Sequence, residues 1–417
     1  MYQRKTILSI EAIRGFAAIY VMLGHTVQLY RVYEYFPKLE FVIKTMFGYG
    51  HEAVILFFMV SGFSIHYSSS LSDYNNIKEV KQYFYKRLKR IYPLFFICLV
   101  FSLVVLLLTN EISTVKRNVL SFFFLTDLSE GAFLNPIPTN SPIWSLTYEV
   151  FYYLLYPFLL ITINRFGLKK IFLITILISL LASLFAFFGY PHHFGNMFQY
   201  YWTWTVGVLI ADLKLNHKTI FIPYLKGLLM VTVAFMLTFE KISVLRDWFW
   251  ALFFTTIFIS FFLSNNKESG FYYKILNLIL SFVAIIICYN LTFHDAILFH
   301  PAIVRYLLLF LGFISLLFVF IPIDYIQSII RMFLKPFVSS GSFSYALYIF
   351  HWPLIILVNY FFVAKNQLNV FLFFTIILLN IIILFLISRY LEIGLQPKIS
   401  KWLDTVFKKT VKERQII

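Results

Sequence analysis

Long apolar segments, most of them close to twenty residues, follow one another along nearly the whole chain. A helix needs about 20 mainly apolar residues to cross the hydrocarbon core of a bilayer. Only 13% of the 417 residues are charged and 60% are hydrophobic, whereas a soluble domain carries roughly 25% charged residues. The sequence therefore predicts an all-α fold, a polytopic membrane helix bundle, and argues against a soluble globular protein.

Twelve such segments can be placed, with boundaries that are good to a few residues. Segment 199–213 is short enough to be re-entrant and segment 51–69 is interrupted, so ten or eleven crossings also fit the pattern. We therefore expect about 10–12 transmembrane helices. The segments are 7–29, 51–69, 91–109, 144–163, 170–189, 199–213, 221–239, 247–264, 275–293, 302–321, 343–362 and 369–389.

Basic residues indicate which ends of these segments face the cytoplasm. The loop at 78–90, "KEVKQYFYKRLKR", and the tail after residue 389 are rich in lysine and arginine, which predicts cytoplasmic N- and C-termini. Residues 1–395 then form one transmembrane domain, and residues 396–417 form a basic amphipathic tail on the inner leaflet. The formal net charge of +16 is spread over many loops, which favours attraction to anionic lipid and argues against nucleic-acid binding.

The first apolar segment contains "RGFAAIYVMLGH", which places Arg14 and His25 inside a membrane span. Eleven residues make almost three full turns, so both side chains leave the same helix face, about 16 Å apart along the axis. Glu11 lies one turn before Arg14 on that face. Because a charge at mid-bilayer costs at least ~2.5 kcal/mol, this stripe predicts a polar cavity. The alternative is that Glu11 and Arg14 pair for stability and that His25 bonds at the interface.

Glu149 lies in a second polar motif, "WSLTYE", a few residues into a segment that runs inward from the outer face. We expect it at the depth of His25, where a carboxylate can orient an imidazole and raise its basicity. The alternative is a hydrogen bond from a nearby indole or phenol, since this tract is rich in such donors. A third stretch, "FFMVSGFSI", places Ser61 in mid-membrane beside a glycine, which favours close helix packing or the passage of a narrow ligand.

Arg87 and Arg90 share a helix face at the inner mouth of the third segment, within "YKRLKRIYP". Planar guanidinium groups suit phosphate. Anchoring of the helix by snorkelling basic residues explains the same pair, and the spacing alone favours that interpretation. His351 lies in "SYALYIFHWPL", where a cavity-lining histidine and a buried structural one are equally consistent with the pattern.

Together these stretches resemble the acyltransferase-3 family of integral membrane O-acyltransferases. "RGFAAIYVMLGH" is similar to that family's opening motif of an arginine, ten residues and a histidine, and "FFMVSGFSI" to its second-helix motif. "RLKR" resembles its Arg-x-x-Arg pair, "WSLTYE" its Trp-Ser-Leu-x-x-Glu motif, and "SYALYIFHWPL" its late Ser-Tyr-x-Leu-Tyr-x-x-His-Trp-Pro motif. The motifs occur in the family's order between residues 9 and 354, so the resemblance covers nearly the whole chain.

The resemblance implies transfer of an acyl group, above all acetyl, from cytoplasmic acyl-coenzyme A to a hydroxyl of an extracytoplasmic carbohydrate. Acyl-coenzyme A is then a co-substrate, and neither a permanently bound cofactor nor a metal is expected. The pantetheine arm would thread between the helices until its thioester reached the general base. The implied catalytic residues are His25, Glu149 and Arg14, and the implied donor-binding residues are Arg87, Arg90, Arg14 and Ser61.

The implied partners are the acyl donor, a free or lipid-linked glycan such as O-antigen, capsule or exopolysaccharide, and the lipid bilayer itself. The implied location is the bacterial cytoplasmic membrane. The alternative function is a polytopic transporter or flippase of a lipid-linked glycan or small solute, since twelve helices with both ends inside is a common transporter layout. Many transporters have two similar halves, and no second copy of "RGFAAIYVMLGH" or "WSLTYE" occurs in the C-terminal half.

Overall fold

The computed structural model describes residues 2–126, 135–188, 193–218, 225–238, 243–263, 271–293, 321, 323–364 and 368–414. Over this part of the chain the fold is helical, and no strand occurs in it. Eight helical stretches within it are long and apolar enough to cross a membrane. The predicted all-α membrane bundle is confirmed. Residues 302–320 of the predicted segment 302–321 lie outside the described residues.

Seventeen α-helices make up this part of the chain, and we number them in chain order. They are α1 (Tyr2–Leu29), α2 (Glu40–Phe47), α3 (Gly50–Ser69), α4 (Ile77–Leu108), α5 (Val115–Phe122), α6 (Trp144–Phe166), α7 (Leu168–Phe187), α8 (His193–Gln199), α9 (Tyr201–Leu215), α10 (Leu225–Thr238), α11 (Ser243–Phe262), α12 (Phe271–Phe293), α13 (Ile323–Leu334), α14 (Val338–Gly341), α15 (Ser344–Val358), α16 (Val370–Arg389) and α17 (Gln396–Arg414).

Short 3₁₀ and π-helical turns extend several of these helices. The 3₁₀ turn Pro138–Ile143 leads directly into α6, so the two form one long apolar stretch. The π-helical turn Tyr390–Leu395 joins α16 to α17 without a break. We call the end of the bundle that holds the start of α1 the inner end, and the opposite end the outer end. Helices α1 and α4 run outward, whereas α3 and α6 run inward.

Helices α3 and α9 pack backbone to backbone in the centre of the bundle because each has a glycine at the contact. A Cβ atom on Gly62 would overlap the carbonyl oxygen of Trp204, and one on Gly207 would overlap that of Met59. Such small residues allow close helix approach inside a membrane. The Trp204 indole is fully buried at this contact, so α3 is held rigidly beside α9, with its opposite face free to line a site.

The start of α6 is fixed against α15 by a buried amide. Asn140, which is 0% exposed, donates from Nδ2 to the carbonyl oxygen of Ile349 at 3.0 Å and to Ser102 Oγ at 3.2 Å. A buried polar group costs free energy unless it is bonded, so this amide specifies how α4, α6 and α15 meet. These three helices, with α1 and α3, surround the polar side chains that the sequence singled out.

The predicted tail is helical, and its first half contacts the body of the protein. Asp404 in α17 accepts from Lys89 Nζ at 2.8 Å and from the Tyr85 hydroxyl at 2.8 Å. Gln396 donates to the backbone carbonyls of Lys89 and Arg90. The tail is therefore docked on the inner part of α4, and its position on the inner leaflet stays a prediction.

Candidate active site

An internal cavity of about 90 Å³ lies toward the inner end of the bundle, between α1, α3, α4, α6 and α15. It brings together five of the side chains that the sequence singled out, although they come from four different helices. These are Arg14, Ser61, Arg87, Arg90 and Glu149. The exposed side chain of Arg90 lines it, so the cavity reaches the surface of the bundle. We call it the inner cavity.

Arg14 holds α1 against α3 across this cavity. Its Nη1 donates to Glu11 Oε1 at 3.0 Å and its Nη2 to Ser64 Oγ at 3.0 Å. The Glu11–Arg14 pair anticipated from the sequence is therefore present, and it compensates the cost of placing a cation in the membrane. Since a guanidinium has five N–H donors in a fixed fork, Arg14 can serve both this pair and a ligand in the cavity.

Arg87 lies over aromatic rings at the inner mouth of the same cavity. Its Nη2 donates to Ser68 and Ser69 on α3 at 3.3 and 3.2 Å, and its guanidinium lies 5.4 Å from the ring centroid of Tyr83. Among the described residues, neither Arg87 nor Arg90 forms an ion pair with a carboxylate. Their positive charge is therefore available to bind an anion. An arginine that only anchors its helix would not require an available charge.

Glu149 and Ser61 form the polar centre of the inner cavity. Ser61 Oγ donates to Glu149 Oε1 at 2.8 Å, and the Tyr153 hydroxyl donates to the same oxygen. Trp204 Nε1 approaches Ser61 Oγ at 3.4 Å. The carboxyl group thus accepts two hydroxyl protons, which matches the predicted alternative in which a phenol bonds to it.

His25 lies outside this cavity and contacts a second histidine. Its Nδ1 is 2.7 Å from His351 Nε2, the two rings are nearly parallel at 3°, and the indole of Trp352 meets His25 edge-on at 4.7 Å between ring centroids. The prediction that Glu149 orients His25 is wrong, because no hydrogen bond joins these two described residues. His351, whose role the sequence left open, takes that place.

The error arose from the depth assigned to Glu149. Counting inward from Trp144 places Glu149 only a few residues from the outer face. The apolar stretch begins earlier, at Pro138, because the 3₁₀ turn precedes α6. Glu149 is therefore further inward than assumed, beside Ser61 and not beside His25.

A chain of hydrogen bonds fixes which nitrogen of His25 carries a proton. His351 Nδ1 lies 2.5 Å from the carbonyl oxygen of Tyr348, and since a carbonyl only accepts, that nitrogen must carry hydrogen. In a neutral ring His351 Nε2 is then an acceptor, so His25 Nδ1 donates to it. This leaves His25 Nε2 with its lone pair, on the side of Gly50.

A second cavity, of about 350 Å³, lies on that side of His25, and we call it the outer pocket. Its wall includes His25, Gln28, Tyr33, Lys44 and Phe47. Lys44 lies 4.1 Å above the ring of Tyr33 and pairs with Glu40. The pocket therefore offers aromatic faces, an amide and a cation next to the basic nitrogen of His25, which suits a polar ring-shaped ligand such as a sugar.

The two cavities share no residue among those described as lining them. Tyr348 lines the inner cavity, its ring lies 5.5 Å from that of Phe57 and 5.8 Å from that of His351, and its hydroxyl is held by Ser145 and by the Pro142 carbonyl. The continuous passage expected from the sequence is therefore closed in this structure, and the rings of Tyr348 and Phe57 line the inner cavity at the closed end.

Two contributors to the site were not singled out from the sequence. Tyr153 follows Glu149 by four residues, so it occupies the same face of α6, and that spacing was a usable signal. Tyr348 precedes His351 by three residues on α15 and separates the two cavities. Nothing in the sequence indicates that role, because it depends on how α15 packs against α3 and α6.

The fold and these two cavities define a class, namely a polytopic membrane protein with reactive side chains buried between its helices. The chain belongs to the acyltransferase-3 family, whose model, described as an acyltransferase domain, matches residues 7–389. The chain is therefore a multi-pass membrane member of this acyltransferase family. This finding favours an enzyme over the alternative of a transporter or flippase.

Curated relatives match the chain at low identity. The chain is 24% identical over 417 residues to "O-acetyltransferase OatA" of Staphylococcus aureus (strains NCTC 8325 and COL), covering 95% of this chain and 58% of the relative. It is 32% identical over 146 residues to an "Uncharacterized protein" of Haemophilus influenzae, covering 31% of this chain and 59% of the relative. The chain thus spans little more than half the length of these relatives. No solved structure matches it.

Proposed function

We propose that the protein is a membrane O-acyltransferase that moves an acyl group, above all acetyl, from cytoplasmic acyl-coenzyme A to a hydroxyl of an extracytoplasmic carbohydrate. O-antigen, capsule and exopolysaccharide are the acceptors we favour, and the bacterial cytoplasmic membrane is the location. The name of the curated relatives, an O-acetyltransferase, supports the chemistry. The observation that carries the proposal is the convergence of three arginines on one cavity while a basic histidine nitrogen faces another.

Coenzyme A is polyanionic at its nucleotide end, and its pantetheine arm is narrow. Arg87 and Arg90 would hold the phosphates at the inner mouth, because arginine binds phosphate through two parallel N–H donors. The thioester would then lie deeper in the inner cavity, near Arg14. In this arrangement the arginines bind the donor on the side of the membrane that the predicted topology assigns to the cytoplasm.

His25 would act as general base on the acceptor hydroxyl in the outer pocket. A general base must lie within hydrogen-bond reach of the proton it takes, and His25 Nε2 faces that pocket with its lone pair. His351 is the positioning residue in place of Glu149, since it receives the Nδ1 proton and fixes the ring. A general base must be in its neutral form, and the hydrogen bond to His351 leaves the Nε2 lone pair of a neutral His25 free for this task.

Purified protein in lipid nanodiscs tests the proposal through binding of coenzyme A and release of thiol from acetyl-coenzyme A with an acceptor glycan. Arg87→Gln with Arg90→Gln should weaken donor binding about tenfold or more per arginine, since a charged hydrogen bond contributes about 1.5–3 kcal/mol. The matched control is Lys81→Gln with Lys86→Gln, which removes two exposed charges from the same helix away from the cavity.

His25→Ala should keep donor binding and lose transfer to the acceptor. Transfer at the wild-type rate in this variant would exclude His25 as the base. If the arginine and lysine double variants lose donor binding equally, Arg87 and Arg90 only anchor their helix and do not bind the donor. Absence of any acetyl-coenzyme A turnover by the wild-type protein with a range of glycans would refute the proposed function as a whole.

A further inference from the structure

Ser61 and Glu149 have the arrangement of a nucleophile and its base. A nucleophilic hydroxyl is activated when a base lies within about 2.6–3.2 Å of it, and here Ser61 Oγ donates to Glu149 Oε1 at 2.8 Å. The base is oriented in turn by the Tyr153 hydroxyl. Both Ser61 and Glu149 line the inner cavity, so the pair faces a space that a donor can enter.

Two side chains with N–H donors lie near the same hydroxyl and can face a developing negative charge. Trp204 Nε1 lies 3.4 Å from Ser61 Oγ, and the Arg14 guanidinium bonds to Ser64, one helical turn inward from Ser61 on the same helix. Fixed donors of this kind stabilise the oxyanion of an acyl-transfer intermediate. Arg14 can take part in the chemistry only if the thioester stops short of His25, and the structure provides such a stop.

The stop is the ring of Tyr348 together with Phe57. Phe57 lies one turn outward from Ser61 on α3, and both Phe57 and Tyr348 line the cavity at that end. His25 is beyond this wall. A thioester that enters past Arg87 and Arg90 therefore meets Ser64 and Ser61 before the wall. Ser64 Oγ donates to the backbone carbonyl of Val60, whereas Ser61 Oγ donates to a carboxylate, so Ser61 is the serine with a base to activate it.

We propose that Ser61 is an acyl carrier, so that transfer proceeds through an ester on this side chain; the inference rests on the proposed function. Glu149 takes the Ser61 hydroxyl proton, Ser61 Oγ attacks the thioester carbonyl, the C–O bond forms and the C–S bond breaks. The proton passes through Glu149 to the departing sulfur, which leaves as coenzyme A thiol. Arg14 and Trp204 stabilise the intermediate oxyanion.

The second step transfers the acyl group to the acceptor. The acceptor oxygen, deprotonated by His25, attacks the ester carbonyl, the new C–O bond forms, and the bond to Ser61 Oγ breaks. The proton taken up by His25 ends on the Ser61 oxygen. This step requires the rings of Tyr348 and Phe57 to move and α1 and α3 to shift so that the acceptor held by His25 reaches the ester, because Gly50, beside His25 Nε2, lies about 16 Å from Ser61 along α3.

The test uses the full-length protein in nanodiscs with radiolabelled acetyl-coenzyme A and no acceptor. The expected result is one acetyl group bound per protein, located on Ser61 by peptide mass spectrometry, with release of an equal amount of thiol. The Ser61→Ala variant should not take up the label. Its affinity for coenzyme A should stay at the wild-type value, and this unchanged binding shows that the variant is folded. Ser388→Ala, a fully buried serine on α16 that lines neither cavity, should label like the wild type.

Ser61→Cys supplies a chemical signature. Its acyl group would be a thioester, which neutral hydroxylamine cleaves, whereas the serine ester of the wild type resists the same treatment. Transfer to an acceptor glycan without any label on the wild-type protein, or label on a residue other than Ser61, would overturn the acyl carrier and leave the proposed function standing. Absence of both thiol release and transfer would instead overturn the proposed function.

Discussion

His351→Ala removes the group that fixes the ring of His25, and its effect on turnover can be worked out from the geometry. The His25 Nδ1–His351 Nε2 distance is 2.7 Å, and His351 is 0% exposed. Removing its ring leaves the Nδ1 donor of His25 without its acceptor. Without that acceptor, His25 is also free to take the other tautomer, in which Nε2 carries the proton and cannot act as a base.

Leaving a buried donor unsatisfied costs about 1–3 kcal/mol. If the whole of this cost appears in the barrier, where each 1.36 kcal/mol is a factor of ten, kcat should fall about 5- to 150-fold. The apparent affinity for acetyl-coenzyme A should stay the same, because the donor cavity does not include either histidine. His351→Gln should recover part of the loss, since its side-chain oxygen can accept the Nδ1 proton.

The assay is acetyl transfer to an acceptor glycan under saturating donor, with coenzyme A binding measured separately on each variant. His66→Gln serves as the matched control, because His66 is another buried histidine, bonded to Asp212 and Tyr156, that lines neither cavity. It should lower thermal stability and leave kcat close to the wild-type value. A His351→Ala variant with wild-type kcat, or one that loses donor binding as strongly as turnover, would refute the reasoning.

Two further predictions concern stability. Gly62→Ala should lower the melting temperature in a thermal-shift assay, because the new Cβ would overlap the Trp204 carbonyl oxygen. Gly394→Ala is the control, since a Cβ there meets only ordinary van der Waals contacts. Equal melting temperatures of the two variants would contradict the close contact of α3 and α9. Asp404→Asn should lower the free energy of unfolding by less than about 1 kcal/mol, because the ion pair of Asp404 with Lys89 is partly exposed. This loss of stability should shrink at high salt. A large, salt-independent loss would show that the docked tail stabilises the body by other means.

Much of the architecture was predictable, because a bilayer restricts a chain to structures that satisfy their own backbone. The apolar segments and the helical period placed Arg14 and His25 on one face of α1, and both turn toward polar cavities. The same reasoning brought Arg87 and Arg90 to the inner end. These predictions depend on local spacing only, which one sequence contains.

The pairing of polar groups between helices was not predictable in the same way. The depth of Glu149 depended on a 3₁₀ turn before α6 that hydropathy does not distinguish from a loop. The partner of His25 depended on how α15 packs against α1, and this packing is specified in part by Asn140, 209 residues away in sequence from the carbonyl of Ile349 that it bonds. Long-range contacts of this kind leave no periodic signal in the residues that make them.

The aromatic wall between the two polar centres bears on what crosses the membrane. Arg14 and His25 lie about 16 Å apart along α1, and an open aqueous route between them would let ions through a protein that needs none to pass. The rings of Tyr348 and Phe57 close that route in this structure. Threading the pantetheine arm as far as His25 would require the wall to open along the length of the arm. Loading the acetyl group onto Ser61 lets coenzyme A leave before the wall opens, so only the bound ester and the acceptor have to meet across it, and a closed wall favours the carrier over direct transfer.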